Sequence, residues 1–218
     1  MGIKQRKKRE KERRRQQIMV AAKRVFAEKG FTRTTIEDIA REAELSPGTL
    51  YLYFKNKDEL YASLSLRILK YLQIRLEDLH VAKGLSPEQR VALLKELLYD
   101  VYEFDPTILI NMFHLQSGDT MKNLSPELLL EIKTMSDQAL SILSKLFEDV
   151  VQKGTLVDRN PLVLANILWA LFAGIVLWEE SKQTVSEKSS SNLKQTLETA
   201  FDIFHRGVFK IEQTENNT

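Results

Sequence analysis

Apolar residues recur at helical spacing along almost the whole chain, and no segment alternates in the manner of a half-buried strand. Ile18, Ala21, Ala22, Val25 and Phe26 stand at i, i+3, i+4, i+7 and i+8, one buried stripe that Gly30 ends. A second helix of about ten residues is predicted from Thr34, whose partner Glu37 completes a T-x-x-E capping box, with Ile36, Ile39, Ala40 and Ala43 buried. A third begins at Ser46, a good N-cap, followed by Pro47 at the first helical position. Leu60, Leu64, Ile68, Leu72, Leu76 and Leu79 mark a long fourth helix after an Asn56-x-x-Glu59 start signal. Further helices are predicted over 87–103, 106–117, 126–153, 161–182 and 192–210, separated by AKGLSP, SGDTMKNLSP, KGTLVDRNP and QTVSEKSSS. The fold class is therefore all-α with about nine helices and no internal repeat. The tail 212–218 is polar enough to be expected disordered.

Charge divides the chain more sharply than hydropathy does. The formal total is only +2, yet residues 1–60 carry 16 Lys/Arg against 9 Asp/Glu, while residues 61–218 carry 16 against 21. A basic head and an acidic body imply that the head meets a polyanion and the body does something else. The first fifteen residues hold nine Lys/Arg and two Glu with no apolar run behind them, which is not the pattern of a secretory signal. With no cysteine in the chain, a disulfide framework and a thiolate metal site are both excluded, and a cytoplasmic setting is expected.

The second and third helices lie so close in sequence that they make a helix-turn-helix. On the third, Pro47, Leu50, Tyr51 and Phe54 fall to one side at 100° per residue, and Gly48, Thr49, Leu52 and Tyr53 to the other. One side can pack on the first two helices. The other offers a glycine for close approach, a hydroxyl, a leucine and a tyrosine, a surface suited to base edges and thymine methyls in a major groove.

These residues resemble the TetR family of transcriptional regulators. The family's signature over its second to fourth helices, T-x-x-x-I-A-x-x-A-x-x-S-x-G-[TS]-[LIF]-Y-x-[YH]-F-x-[NS]-K-[ED]-x-L, is met by Thr35, Ile39, Ala40, Ala43, Ser46, Gly48, Thr49, Leu50, Tyr51, Tyr53, Phe54, Asn56, Lys57, Asp58 and Leu60. The resemblance is specific over roughly residues 16–62 and compatible beyond. It implies a basic extension at 1–15, a DNA-binding domain at 16–62 and a ligand-binding and dimerisation domain at 63–211. It also implies Thr49 near base edges, the Tyr51 hydroxyl on a phosphate, and Tyr53 and Lys57 on the backbone. Thr35, at the start of the second helix, matches the family's phosphate contact, for which the free N–H groups and dipole of that helix give a physical reason. With Arg33 added for its place beside Thr35, the DNA-facing set is Arg33, Thr34, Thr35, Ser46, Pro47, Gly48, Thr49, Tyr51, Leu52, Tyr53, Lys55 and Lys57. Lys57 stands where its charge opposes the helix macrodipole, which favours a phosphate role for it.

Catalysis fails on inventory. The three histidines, His80, His114 and His205, are far apart in sequence, and no HExxH, G-x-S-x-G or phosphate-binding glycine pattern occurs. Neither enzyme activity nor a cofactor or metal is expected. Residues 162–178 run for seventeen positions without a charge, which is short for a membrane span and interrupted by Asn166; a helix in an oligomer interface needs the same apolarity and is the preferred reading. Homodimerisation is expected through the last two helices, using Leu168, Leu171, Ile175, Leu193, Leu197, Phe201 and Phe204. Phe104, Met112, Phe113, Met121, Met135, Trp169 and Phe172 are the candidates for a pocket that takes a small apolar or aromatic effector. The expected partners are therefore a near-palindromic double-stranded DNA operator, that effector and a second copy of the chain. A DNA-binding protein of the same fold without an effector is the alternative, and a membrane-associated helical protein a remote one.

Overall fold

The computed structural model describes residues 2–117, 119–185 and 192–209, and the tail 212–218 lies outside them. Among the described residues there are ten α-helices and no strand. They are α1 (Ile3–Arg33), α2 (Ile36–Glu42), α3 (Pro47–Tyr51), α4 (Lys57–His80), α5 (Pro87–Ala92), α6 (Leu94–Phe104), α7 (Pro106–Ser117), α8 (Pro126–Gln152), α9 (Pro161–Val185) and α10 (Leu193–Val208), with a 3₁₀ turn at Asp119–Asn123. One isolated antiparallel bridge joins Leu156 to Phe209.

The basic extension is not a separate segment but the opening turns of α1, which is helical from Ile3. Gly30 interrupts that helix with φ 73° and ψ 165°, a conformation open to glycine and strained for other residues, after which the chain resumes to Arg33. The capping box lies one residue later than the sequence suggested. Thr35 is the N-cap of α2: its hydroxyl accepts from the Asp38 amide at 3.1 Å, and the Asp38 carboxylate accepts from the Thr35 amide at 3.2 Å. Thr34 is buried, and its hydroxyl donates to the Gly30 carbonyl at 2.7 Å, so it closes the end of α1 instead of opening α2. The single helix predicted over 87–103 is two. Leu93, with ψ near −6°, ends α5 by donating to Gln89 and Val91 and then serves as the N-cap of α6.

The chain divides into two compact units, one formed by Met1–Ile68 with Thr107–Lys133, the other by Leu69–Pro106 with Thr134–Thr218. In the first, Ile18, Ala22 and Phe26 of α1 are buried together with Ile39, Leu50 and Leu60. Tyr61 meets Phe26 edge-on at 4.9 Å and tilts against Phe31 at 4.4 Å. Each fully buried side chain of this size contributes about 1.5–3 kcal/mol relative to exposure. The start of α4 is fastened within this unit: Asn56 accepts from the Glu59 amide at 2.7 Å, and Glu59, itself buried, accepts from the amides of Lys55 at 2.8 Å and Ser125 at 3.2 Å. In the second unit α10 packs on α9 and α6, burying Leu94, Leu98, Leu168, Phe172, Leu197 and Phe201. Phe147 and Phe204 meet edge-on at 6.0 Å.

Candidate nucleic-acid interface

α2 buries Ile36, Ile39 and Ala40, while Ala43, its C-cap, is also buried. The chain then turns through Glu44, which takes φ 55°, a left-handed conformation that costs a non-glycine residue of order 1 kcal/mol. That turn delivers Ser46 to the start of α3. The Ser46 Oγ accepts from the Thr49 amide at 3.1 Å and lies 2.9 Å from the Thr49 hydroxyl. α3 is therefore a five-residue helix pinned at its first turn by the cap and anchored from behind by Leu50 and Phe54, both buried. The Arg15 guanidinium covers the Phe54 ring at 4.6 Å and donates to Ser63 at 3.1 Å, tying α1 to the back of this element.

The outward face differs from a helical wheel in one respect. Tyr51, grouped with the packed side by angle, is 53% exposed, since it stands at the edge of that side, about 60° around the helix from Gly48; Leu52 is 76% exposed. Ser46, Gly48, Arg33, Thr35 and Lys55 are exposed, and Pro47, Thr49 and Tyr53 are half-buried. A Cβ built on Gly48 would meet nothing closer than the Ser46 Oγ at 3.8 Å, so the chain's own packing does not require glycine there. The residues expected to face DNA lie together on this surface, with two corrections. Thr34, 2% exposed with its hydroxyl spent on Gly30, cannot reach a partner. Lys57 turns inward: its ammonium donates to the carbonyls of Phe31 at 2.8 Å and Thr34 at 2.9 Å and sits 4.3 Å from the Phe31 ring centroid. These are orphan carbonyls at the end of α1, which explains a lysine at a position unfavourable to the α4 macrodipole.

Behind the surface, Lys29 donates to Asp38 at 2.8 Å. That bond, with those from Thr35, lowers the Asp38 pKa to about 2. Along one side, the cations of α1 join the site: Lys7, Lys11 and Arg14 line one groove with Leu45, Thr49, Leu52 and Tyr53, and Glu10 is the single carboxylate there. Composition had marked the extension as basic without distinguishing these side chains. The signal was in the i, i+4, i+7 spacing, which puts them on the side of α1 next to α3.

The remaining candidates separate. Of the proposed pocket residues, Met112 and Phe113 are buried and Met121 half-buried in the first unit. Phe104, Met135, Trp169 and Phe172 lie in the second, where Phe104 stacks on Tyr71 at 4.1 Å and Trp169 tilts against Phe172 at 5.8 Å. Of the proposed interface residues, Leu168, Leu193, Leu197 and Phe201 are buried in the chain's own core and so are not available to a second copy, while Leu171, Ile175 and Phe204 are half-buried. Leu168, Phe201 and Phe204 instead line a recess of about 220 Å³ with Val91 and Leu94, rimmed by Lys95, Asp202 and His205. Apart from Leu162 at its start, the apolar surface that α9 leaves exposed is another stripe: Val163, Ile167, Ala170, Gly174 and Trp178. Spacings of four, three, four and four place these within about 80° of one another. By length and composition Pro161–Lys182 is also the one helix of the described residues apolar enough to cross a membrane.

Residues 18–64 match the family model of bacterial regulatory proteins, tetR family. An uncharacterized HTH-type transcriptional regulator of Haemophilus influenzae is 30% identical over 140 residues, 62% of this chain and 74% of that protein. The biofilm operon icaADBC HTH-type negative transcriptional regulator IcaR of Staphylococcus aureus is 24% identical over 181 residues, covering 83% of this chain and 92% of its own. The crystal structure of the transcriptional regulator FadR from Bacillus subtilis in complex with stearoyl-CoA shares the fold, with a TM-score of 0.65 at 20% identity over 88% of this chain and 98% of that one.

Proposed function

Because the chain belongs to the tetR family of bacterial regulatory proteins, we propose that it is a repressor whose dimer grips a near-palindromic DNA operator through α3 and lets go when a small apolar or aromatic ligand binds. The observation that carries the DNA reading is the outward face of α3. A leucine left 76% exposed beside a glycine that the fold does not need forgoes burial that would contribute about 1.5–3 kcal/mol. Such a surface is explained by a partner, and a major groove accepts a helix presenting a hydroxyl and an apolar side chain. Thr49 and Leu52 face base edges in this proposal, and Tyr51, Tyr53, Thr35, Arg33 and Lys55 hold the phosphates. Repression is supported by the similarity to IcaR, a negative regulator.

Dimerisation is proposed through the exposed stripe of α9, in an isologous contact across a two-fold axis, with Ala170 and Gly174 allowing close approach. A two-fold dimer requires half-sites related by a palindrome and spaced about one helical turn of DNA, roughly 34 Å, or a multiple of it. The proposal of an apolar effector rests on the bulky groups Phe104, Met135, Trp169 and Phe172 of the second unit, and the acyl chain of the stearoyl-CoA held by FadR is apolar in the same way. To release DNA, it must bind the DNA-incompetent form more tightly; a hundredfold preference supplies about 2.7 kcal/mol.

Selection of duplexes from a randomised pool by the full chain tests the DNA reading. The expected product is a near-palindrome whose sequence shifts at specific positions for Thr49→Ala and Leu52→Ala, each altered base pair being worth about 1–3 kcal/mol. Retention of no duplex above background, or an unchanged consensus for Leu52→Ala, overturns it. Native mass spectrometry before and after denaturation tests the effector: a co-purified small molecule of apolar character is expected.

A further inference from the structure

The opening turns of α1 project cations past the helix-turn-helix in a pattern that the DNA-binding reading above does not use. From Lys4 to Gln17 no apolar side chain occurs, and the segment is helical throughout. Lys4, Lys7, Lys11 and Arg14 stand at i, i+3, i+7 and i+10, within about 80° of one another around the helix. Arg6, Arg9 and Arg13 face the other way. The first group is continuous with the outward face of α3, since Lys7, Lys11 and Arg14 share a groove with Thr49, Leu52 and Tyr53. Arg14 stands beside α3, and Lys4 lies ten residues further out, about 15 Å along the axis at 1.5 Å per residue.

A highly charged helix, exposed from Lys4 to Arg13, has little stability of its own there, and like charges three and four apart oppose it. Propagation from the buried stripe at Ile18–Phe26 holds it, together with the bond from Gln16 to Glu12 at 2.9 Å and that from Arg14 to Gln17 at 3.1 Å. A polyanion laid along the cationic stripe would relieve the repulsion. We propose that the Lys4–Lys7–Lys11–Arg14 stripe of α1 binds the phosphates of DNA flanking the site read by α3, so that each subunit covers about four further base pairs without reading their sequence. The proposal rests on the DNA-binding reading of α3. It favours DNA over an anionic lipid surface because an interfacial helix needs an apolar face, and this segment has none.

The test compares Lys4→Gln/Lys7→Gln/Lys11→Gln with Arg6→Gln/Arg9→Gln/Arg13→Gln, two full-length variants that lose the same charge from opposite sides of α1. Glutamine keeps helix propensity near that of lysine and arginine, and circular dichroism checks that helicity is retained. Affinity for a selected duplex is measured between 50 and 200 mM salt. Three phosphate contacts at about 0.9 each give a slope lower by about 2.7 per subunit for the first variant, or about 5.4 for the dimer, so the affinity of the native dimer falls about 40-fold more per subunit, roughly 1,800-fold in all, over that range. The second variant is expected to keep the native slope. Trimming five base pairs of flank from each end of the duplex should bring the native slope down to that of the first variant. Equal losses in both variants, an unchanged slope in the first, or insensitivity to flank length each overturn the proposal. So does an unchanged DNA slope accompanied by stripe-dependent binding to phosphatidylserine vesicles, which would assign the cations to a lipid surface. Failure of the native chain to bind any selected duplex at 50 mM salt would instead sink the DNA reading of α3.

Discussion

Lys57 decides between two accounts of the same charge. As a DNA contact it would neutralise one phosphate, and Lys57→Ala would lower the salt slope by about 0.9 while leaving stability alone. The geometry gives it another task. Its ammonium donates to Phe31 at 2.8 Å and Thr34 at 2.9 Å and rests 4.3 Å from the Phe31 ring centroid, and that ring is itself packed on Tyr61. A hydrogen bond to a charged group contributes about 1.5–3 kcal/mol and a partly exposed cation–π contact about 0.5–1 kcal/mol. Because Lys57 is only half-buried, the lower ends apply to the two hydrogen bonds and the ring contact, and the loss in Lys57→Ala is about 3.5 kcal/mol. For a chain of this size, each kcal/mol moves the melting temperature about 2–4 °C, so a fall of about 7–14 °C is expected in a thermal melt followed by circular dichroism. DNA affinity, measured at a temperature where the variant is fully folded, should keep its salt slope. A melting temperature within 1 °C of the native value, together with a slope lower by one, would refute the capping role.

The sequence made the DNA-binding head legible because three signals agreed there: the stripe from Ile18 to Phe26, the Ser46–Pro47 start and the aromatic residues that follow. It failed where two neighbouring residues offered the same signal. Thr34 and Thr35 each have an acid three positions on, Glu37 and Asp38, and only the position of Gly30 decides which hydroxyl faces which helix end. Lys57 misled for a related reason: the carbonyls it caps lie 26 and 23 residues earlier in the chain, a distance over which no local pattern speaks. Of the residues expected at the interface, Leu168 on α9 is buried in the chain's own core while Leu171 and Ile175 are half-buried, a division the sequence does not mark because α9 is apolar on all sides and periodicity gives no inner face. α10 does have one apolar stripe, and it packs inward, which takes Leu193, Leu197 and Phe201 into the core. Trp178, the aromatic that closes the uncharged run of α9, is 63% exposed in a single chain and is the residue on which the proposed stripe most depends. Nor did local signals mark Thr107–Lys133 as part of the first unit; the attachment runs through Asn56, Glu59, Asn123 and Ser125, polar groups 66 or 67 residues apart whose pairing depends on the fold.

Two further outcomes follow from individual contacts. Asp38, with its folded pKa lowered to about 2 from an ordinary value of 3.8, contributes stability that is fully present above pH 3.8 and is lost as pH falls through 2. Asp38→Asn should therefore lower the melting temperature at neutral pH, and the difference from the native chain should close between pH 3.8 and 2; a difference that persists below pH 2 would show that the amide acts through packing alone. The second outcome concerns assembly. Ile167 and Trp178 project from the same exposed side of α9, so Ile167→Asp places a charge in the proposed contact twice, once from each copy, and a buried unpaired carboxylate is costly enough to prevent association. Sedimentation should then give folded monomers with unchanged helicity. Phe201→Asp makes the contrasting case: its side chain is already enclosed by its own chain, and the charge should unfold the second unit instead of separating subunits. Folded monomers from Phe201→Asp together with intact dimers from Ile167→Asp would return the interface to the inward residues and refute the exposed stripe.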